Sequence, residues 1–145
     1  MVHGRDLAGR NAVAVFLTKL GLEAVILHEQ ANRGATIIEK FELHSDDVAF
    51  AVILLTADDV GGLADAPDSR LVHRARQNVI FEFGFFCAAL GRKNVCALLE
   101  EGVEKPSDVD GLVYTGFDHE SGAWQMPLAK EMMAAGLPID LNKAI

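Results

Sequence analysis

The residue with the clearest chemical potential is Glu82. It is the only charged residue in the run VIFEFGFFCAAL over residues 79–90. A helix that is apolar on every face is a buried helix, so the pattern places one carboxylate in a core element. Burial disfavours the ionised form unless a partner compensates, and acidic side chains are seldom fully buried without one. A carboxylate kept there is a candidate catalytic group. A structural reading competes with this. Asn78 is a good N-cap residue, which puts Glu82 about one turn into the helix, where the dipole stabilises it by about 0.3–1 kcal/mol. It misses the capping-box position by one residue.

Other residues can assist a site of this kind. Arg5, Arg33, Arg74 and Arg76 flank segments rich in Gly, Asp and Asn. The net charge of −8 argues against broad nucleic-acid binding or a basic membrane surface, yet an anionic small molecule is compatible with a few converging arginines. Asp58 and Asp59 read as caps of a turn. His3, His28 and His44 have no metal-ligand spacing, so no metal is expected. Cys87 and Cys96 sit among apolar residues and read as reduced core thiols of a cytoplasmic protein. Trp124 and Phe117 read as packing residues.

The elements that must position these groups follow from patterning. The chain has 145 residues, half of them hydrophobic, enough for one domain over 1–145 with a core of its own. No apolar run reaches membrane-span length, and the start MVHGRD lacks a signal-peptide layout. Residues 1–3 read as the tail of a strand. Residues 8–20 have helical periodicity, with Ala12, Val15, Phe16 and Leu20 on one face and Gly21 as the stop. Residues 23–28 hold the buried strand AVIL, and 30–35 a loop. Thr36-Ile37-Ile38-Glu39 is a capping box opening a helix to about His44. The run AFAVILLT over 49–56 is continuously apolar, the mark of a central parallel strand covered on both faces. A loop over 57–69 precedes the Glu82 helix, which Gly91 closes. Strands follow at 95–99 and 112–117, separated by a loop over 102–111 with a turn near Ser107. A helix over 124–135 ends at Gly136.

Strands alternating with helices predict an open parallel α/β sheet. Such sheets bind ligands at the carboxyl ends of their strands, where the strand order reverses. That edge gathers residues 3–6, 29–36 and 56–62 and the loop before Glu82, which places Arg5, Arg33, Arg76 and Glu82 around one crevice. Gly4 and Asp6 follow the first strand, where backbone approaches a ligand. Arg33 is placed to meet a pyrophosphate beside the helix beginning at Thr36, since helix N-termini attract anions. Arg76 suits a phosphate or a neighbouring acid better than Glu82, because a spacing of six is poor for contact on a helix.

Several motifs, in order along nearly the whole chain, resemble one family. They are HGRD, ILHEQ with N-R-G and TIIEKFE, AVILLTADDVGGL, RARQNVIFEFGFF with LGR, and PSD with DGLVY before a Trp-led helix. The family is that of bacterial predicted nucleotide-binding proteins with a TIR-like domain, related to the TIR effectors of Pycsar and TIR–STING anti-phage systems. The resemblance implies a flavodoxin-like five-stranded sheet of order 2-1-3-4-5 with helices on both faces. It implies cleavage of NAD+ at the nicotinamide–ribose bond, with NAD+ as substrate and no cofactor. It also implies self-association and Glu82 as the catalytic residue. Gly4, Arg5, Asp6, Arg33, Thr36, Arg76 and Asn78 are the accompanying substrate-binding candidates. Relatives carry more apolar residues before HGRD, whereas only Met1 and Val2 precede it here. Either the start is truncated or the central first strand is very short.

Cleaving that bond is akin to glycoside hydrolysis, with an oxocarbenium-like transition state that a carboxylate stabilises or attacks. Nicotinamide leaves as a neutral molecule, so one carboxylate suffices. Two other readings stand beside it: a non-catalytic binding or assembly module, and an enzyme similar to nucleoside deoxyribosyltransferases, which also use a glutamate.

Overall fold

A computed structural model of the chain describes residues 1–26, 36–44, 47–107 and 111–145. The order along them is α1 (Leu7–Lys19), α2 (Ile37–His44), β1 (Ala51–Leu55), β2 (Asp59–Gly61), β3 (Val72–Arg74), α3 (Gln77–Leu90), β4 (Val95–Glu100), β5 (Val103–Glu104), β6 (Val113–Phe117) and α4 (Gln125–Ala134). The main sheet is parallel, in the order β1-β4-β6. On the other side of β1, Val2 forms a parallel bridge to Ile53. Val2 N–H donates to the Val52 carbonyl and its own carbonyl accepts from Leu54 N–H, each at 2.9 Å. β1 is therefore an internal strand, as its apolar run predicts.

Alternation along β1 divides the core. Val52 and Leu54 pack with Val13, Phe16 and Leu17 of α1, and with Trp124 and α4. Ala51, Ile53 and Leu55 pack with Phe41 of α2 and with Val79, Phe83 and Phe86 of α3. A strand that is buried on both faces has no position for a polar residue, and all five residues of β1 are buried.

Several expectations are corrected. Among the described residues the main sheet has three strands and not five, so the order 2-1-3-4-5 is not what is observed. Residues 23–26 carry no strand assignment, and the rest of that expected strand lies outside the described residues. The expected loops at 57–69 and 102–111 contain β2 and β5, which with β3 make a second, small sheet ordered β2-β3-β5. Strands of two or three residues are too short for periodicity to reveal. Val15 is exposed, and the buried stripe of α1 is Val13, Phe16, Leu17 and Leu20. α3 is not buried all round: Phe81 is 63% exposed, and Gly84, Ala88 and Ala89 also face outward.

The capping elements follow their chemistry. Asp6 caps α1, its carboxylate accepting from Gly9 N–H at 2.9 Å. The expected capping box of α2 is present: Glu39 Oε2 accepts from Thr36 N–H at 2.6 Å, and Thr36 Oγ1 accepts from Glu39 N–H at 3.3 Å. Gly21, Gly91 and Gly136, which follow α1, α3 and α4, have positive φ, a conformation that glycine adopts without strain. Among the described residues no helix is long and apolar enough to cross a membrane.

Candidate functional site

Glu82 lies on the buried stripe of α3, one position before Phe83 and between Val79 and Phe86 in helical register. It is only 2% exposed. Residues 79, 82, 83 and 86 share one helical face, so the apolar packing of α3 on β1 carries the carboxylate inward with it. The amino group of Met1, which donates to the Val25 carbonyl at 2.7 Å, lies within electrostatic reach. Burial pulls that amino group down to about 6, and Glu82 opposes the shift.

α3 starts at Gln77, so Arg76 occupies the cap position and caps nothing with its side chain. Asn78 is already inside the helix and exposed, which corrects its expected role as cap. Apolar periodicity begins at Val79 and gave no signal for the two polar residues of the first turn.

The tie between α3 and the sheet edge is Asp58. Its Oδ1 accepts from Arg5 N–H at 2.8 Å and from the Thr56 hydroxyl at 3.1 Å. Its Oδ2 accepts from Arg76 N–H at 3.2 Å. Gly4 makes room for this carboxylate, since a Cβ there would lie 1.8 Å from Asp58 Oδ2. The structure thus gathers Gly4, Arg5, Asp6 and Arg76 at one edge, as the switch-point rule predicts. The residue that organises them was expected only to cap a turn. No local signal marked it, because two of its three donors, Arg5 and Arg76, come from distant parts of the chain.

The remaining candidates are differently placed. The Arg5 guanidinium is paired with Asp59 and donates to the Asp58 carbonyl at 3.3 Å. Arg74 pairs with Glu104. Thr36 belongs to the capping box of α2. Arg33 lies outside the described residues. Beside Asp58 a cavity of about 620 Å³ is lined by Asp6, Glu100, Glu101, Asp118, His119 and Glu120, among others, none of which except Asp6 stood out in the sequence. Glu100 is engaged there, accepting from Ala57 N–H at 2.8 Å. So acidic a wall repels a pyrophosphate. A second cavity, of about 670 Å³, lies on the other flank of Asp58, between Asp59, His73, Arg74 and Gln77. Glu82 lines neither cavity, which corrects its expected place in one crevice with Arg5 and Arg76: its side chain is carried into the core with the apolar face of α3. An apolar cavity of about 290 Å³ lies at the opposite end of β1, against Phe41, Phe50 and Phe86.

Comparison with known proteins adds an independent line. The family described as "CAP12/Pycsar effector protein, TIR domain" matches residues 1–119. The uncharacterized protein YuaY of Escherichia coli K12 is 45% identical over all 145 residues, which cover 48% of its length. Protein tirC of Dictyostelium discoideum is 32% identical over 83% of this chain and 64% of its own. CD-NTase-associated protein 12 of Sphingobacterium faecium is 29% identical over 52% of this chain and 22% of its own. The chain thus spans about half the length of YuaY, and a smaller share of the CD-NTase-associated protein.

Proposed function

The chain belongs to the family of CAP12/Pycsar effector TIR domains, and on that premise we propose that it cleaves NAD+ at the nicotinamide–ribose bond with Glu82 as the catalytic carboxylate. The observation that carries this reading is a single acid, 2% exposed, on the apolar face of a helix whose start is tied to the carboxyl end of β1. A low-polarity setting strengthens the attraction between a carboxylate and a developing oxocarbenium ion. NAD+ is the substrate, and the reaction needs no further cofactor. Gly4 gives clearance to Asp58, while Arg76 and Asn78 are proposed to contact the dinucleotide directly, and so is Arg33. Arg5, Asp6 and Thr36 do so after exchanging their present partners.

Burial of Glu82 has a kinetic consequence. Substrate reaches it only when its neighbours move, so the dilute chain is a resting state and turnover requires rearrangement on self-association. We also infer that residues 1–145 form one TIR-like unit in which Val2 takes the place of a strand beside β1, as the Val2–Ile53 bridge supports. The proposed setting is the cytoplasm, in defence against phage.

The second reading, a non-catalytic binding or assembly module, draws on the same burial of Glu82. Incubation with NAD+ at high protein concentration, with nicotinamide quantified by chromatography, separates the two. Release that disappears in Glu82→Gln supports the enzyme. Binding without release, including in assembled protein, supports the module. Base exchange on deoxynucleosides would instead favour a deoxyribosyltransferase-like enzyme.

A further inference from the structure

We propose that Asp58 is the positioning residue of the site: it fixes where α3 begins and thereby where Glu82 sits. The proposal rests on the reading of Glu82 as the catalytic carboxylate. Asp58 joins three segments that are distant in sequence. Arg5 N–H and the Thr56 hydroxyl share one oxygen, and Arg76 N–H takes the other. Thr56 is 2% exposed, so the clamp is anchored in the end of β1 and not in a mobile loop. Arg76 is the cap position of α3, and Glu82 lies six residues on, about 9 Å along the axis at the usual helical rise.

Packing of Val79, Phe83 and Phe86 against β1 sets the rotation of α3. A hydrogen bond from the cap position to a fixed carboxylate adds a directional restraint on where the helix begins. Gly4 completes the device, because any side chain there collides with Asp58 Oδ2. The clamp needs acceptors on both sides of one small planar group. Asparagine has the same shape and offers an acceptor on one side only. In Asp58→Asn, either Arg76 N–H or Arg5 N–H faces an amide N–H and loses its acceptor.

The test uses the full chain, as wild type, Asp58→Asn, Gly4→Ala, Asp58→Ala and the Gly4→Ala/Asp58→Ala double variant. Asp58→Asn is expected to keep its circular dichroism. Its kcat for NAD+ falls about a hundredfold, the loss that a misplacement near 1 Å brings. The amide of Arg5 or of Arg76 exchanges with solvent about tenfold faster, as expected for loss of a charged acceptor. The Glu82 carboxyl 13C resonance shifts. Gly4→Ala lowers kcat in the presence of Asp58 and adds little in the Asp58→Ala chain. Wild-type kcat in Asp58→Asn, an unmoved Glu82 resonance, or independent effects of Gly4→Ala and Asp58→Ala would each overturn the proposal. If the wild-type chain releases no nicotinamide, the NAD+ reading fails by itself. The Glu82 resonance and the Arg5 and Arg76 amides then still decide whether Asp58 positions α3.

Discussion

Individual side chains in this protein are governed by where the chain buries them. Glu82 and Cys96 are both held in the core, and desolvation sets the chemistry of Cys96. Burial pushes the Cys96 thiol up to about 11, with the Thr115 hydroxyl working against the shift and Glu131 adding to it. Burial also raises Cys87, with Arg92 opposing. Both thiols are therefore protonated at neutral pH, and Cys96 should resist iodoacetamide until the chain unfolds. A raised folded value favours the neutral form. The stabilisation from Cys96 is thus complete below the unfolded thiol value of 9.0 and is lost as pH rises toward about 11. Alkaline denaturation should accordingly be shallower over that window in Cys96→Ala than in wild type. Equal slopes would show that another group controls the alkaline limb. Glu82 was visible in the sequence because a single charge in a run of twelve residues, the other eleven uncharged, needs no structure to be noticed. Asp58 was not visible in this way. Its importance comes from three donors that lie 53, 2 and 18 positions away, and no local pattern announces such a meeting.

Elements were legible wherever a local rule was sufficient. The box Thr36–Glu39, the glycine stops and the doubly covered β1 each follow from a few adjacent residues. The start of α3 was misread because its cap comes from Asp58, across the fold, and not from Asn78. The small sheet β2-β3-β5 was missed because its pairings are long-range and its strands short. Two tests belong at this scale. In α2, hydrogen bonds from Thr36 pull the Glu39 carboxyl below its ordinary value. A depressed value means that the stabilisation exists above the unfolded carboxyl value and fades as pH falls through the folded one. The protection of the Thr36 amide, measured against its intrinsic exchange rate at each pH, should therefore fall on acidification. In Glu39→Gln, which keeps an acceptor but not the charge, that acid dependence should vanish. In α3, Phe83 is 1% exposed, so Phe83→Ala should cost about 3–5 kcal/mol in urea unfolding. A loss below about 1 kcal/mol would mean that α3 is not packed on β1 as described.

At the scale of the molecule, the sheet divides the core into two apolar layers, one under α1 and α4 and one under α2 and α3. The candidate site lies where α3 begins, at the carboxyl edge of the strands. Trp124 anchors the first layer, edge-on to Phe16 at 5.3 Å and tilted against Phe117 at 5.5 Å. It lies outside the matched residues 1–119. As the only tryptophan, it should report loss of that layer directly in fluorescence. On the proposed reading of Glu82 as a catalytic carboxylate that is buried in the dilute chain, turnover per chain should rise with protein concentration. The most direct test is the initial rate of nicotinamide release from NAD+, measured for wild type and Glu82→Gln across a series of protein concentrations. The account predicts a wild-type rate per chain that climbs with concentration and no release from the variant at any concentration. Equal release by both proteins, or none from wild type even when it is assembled, would contradict it.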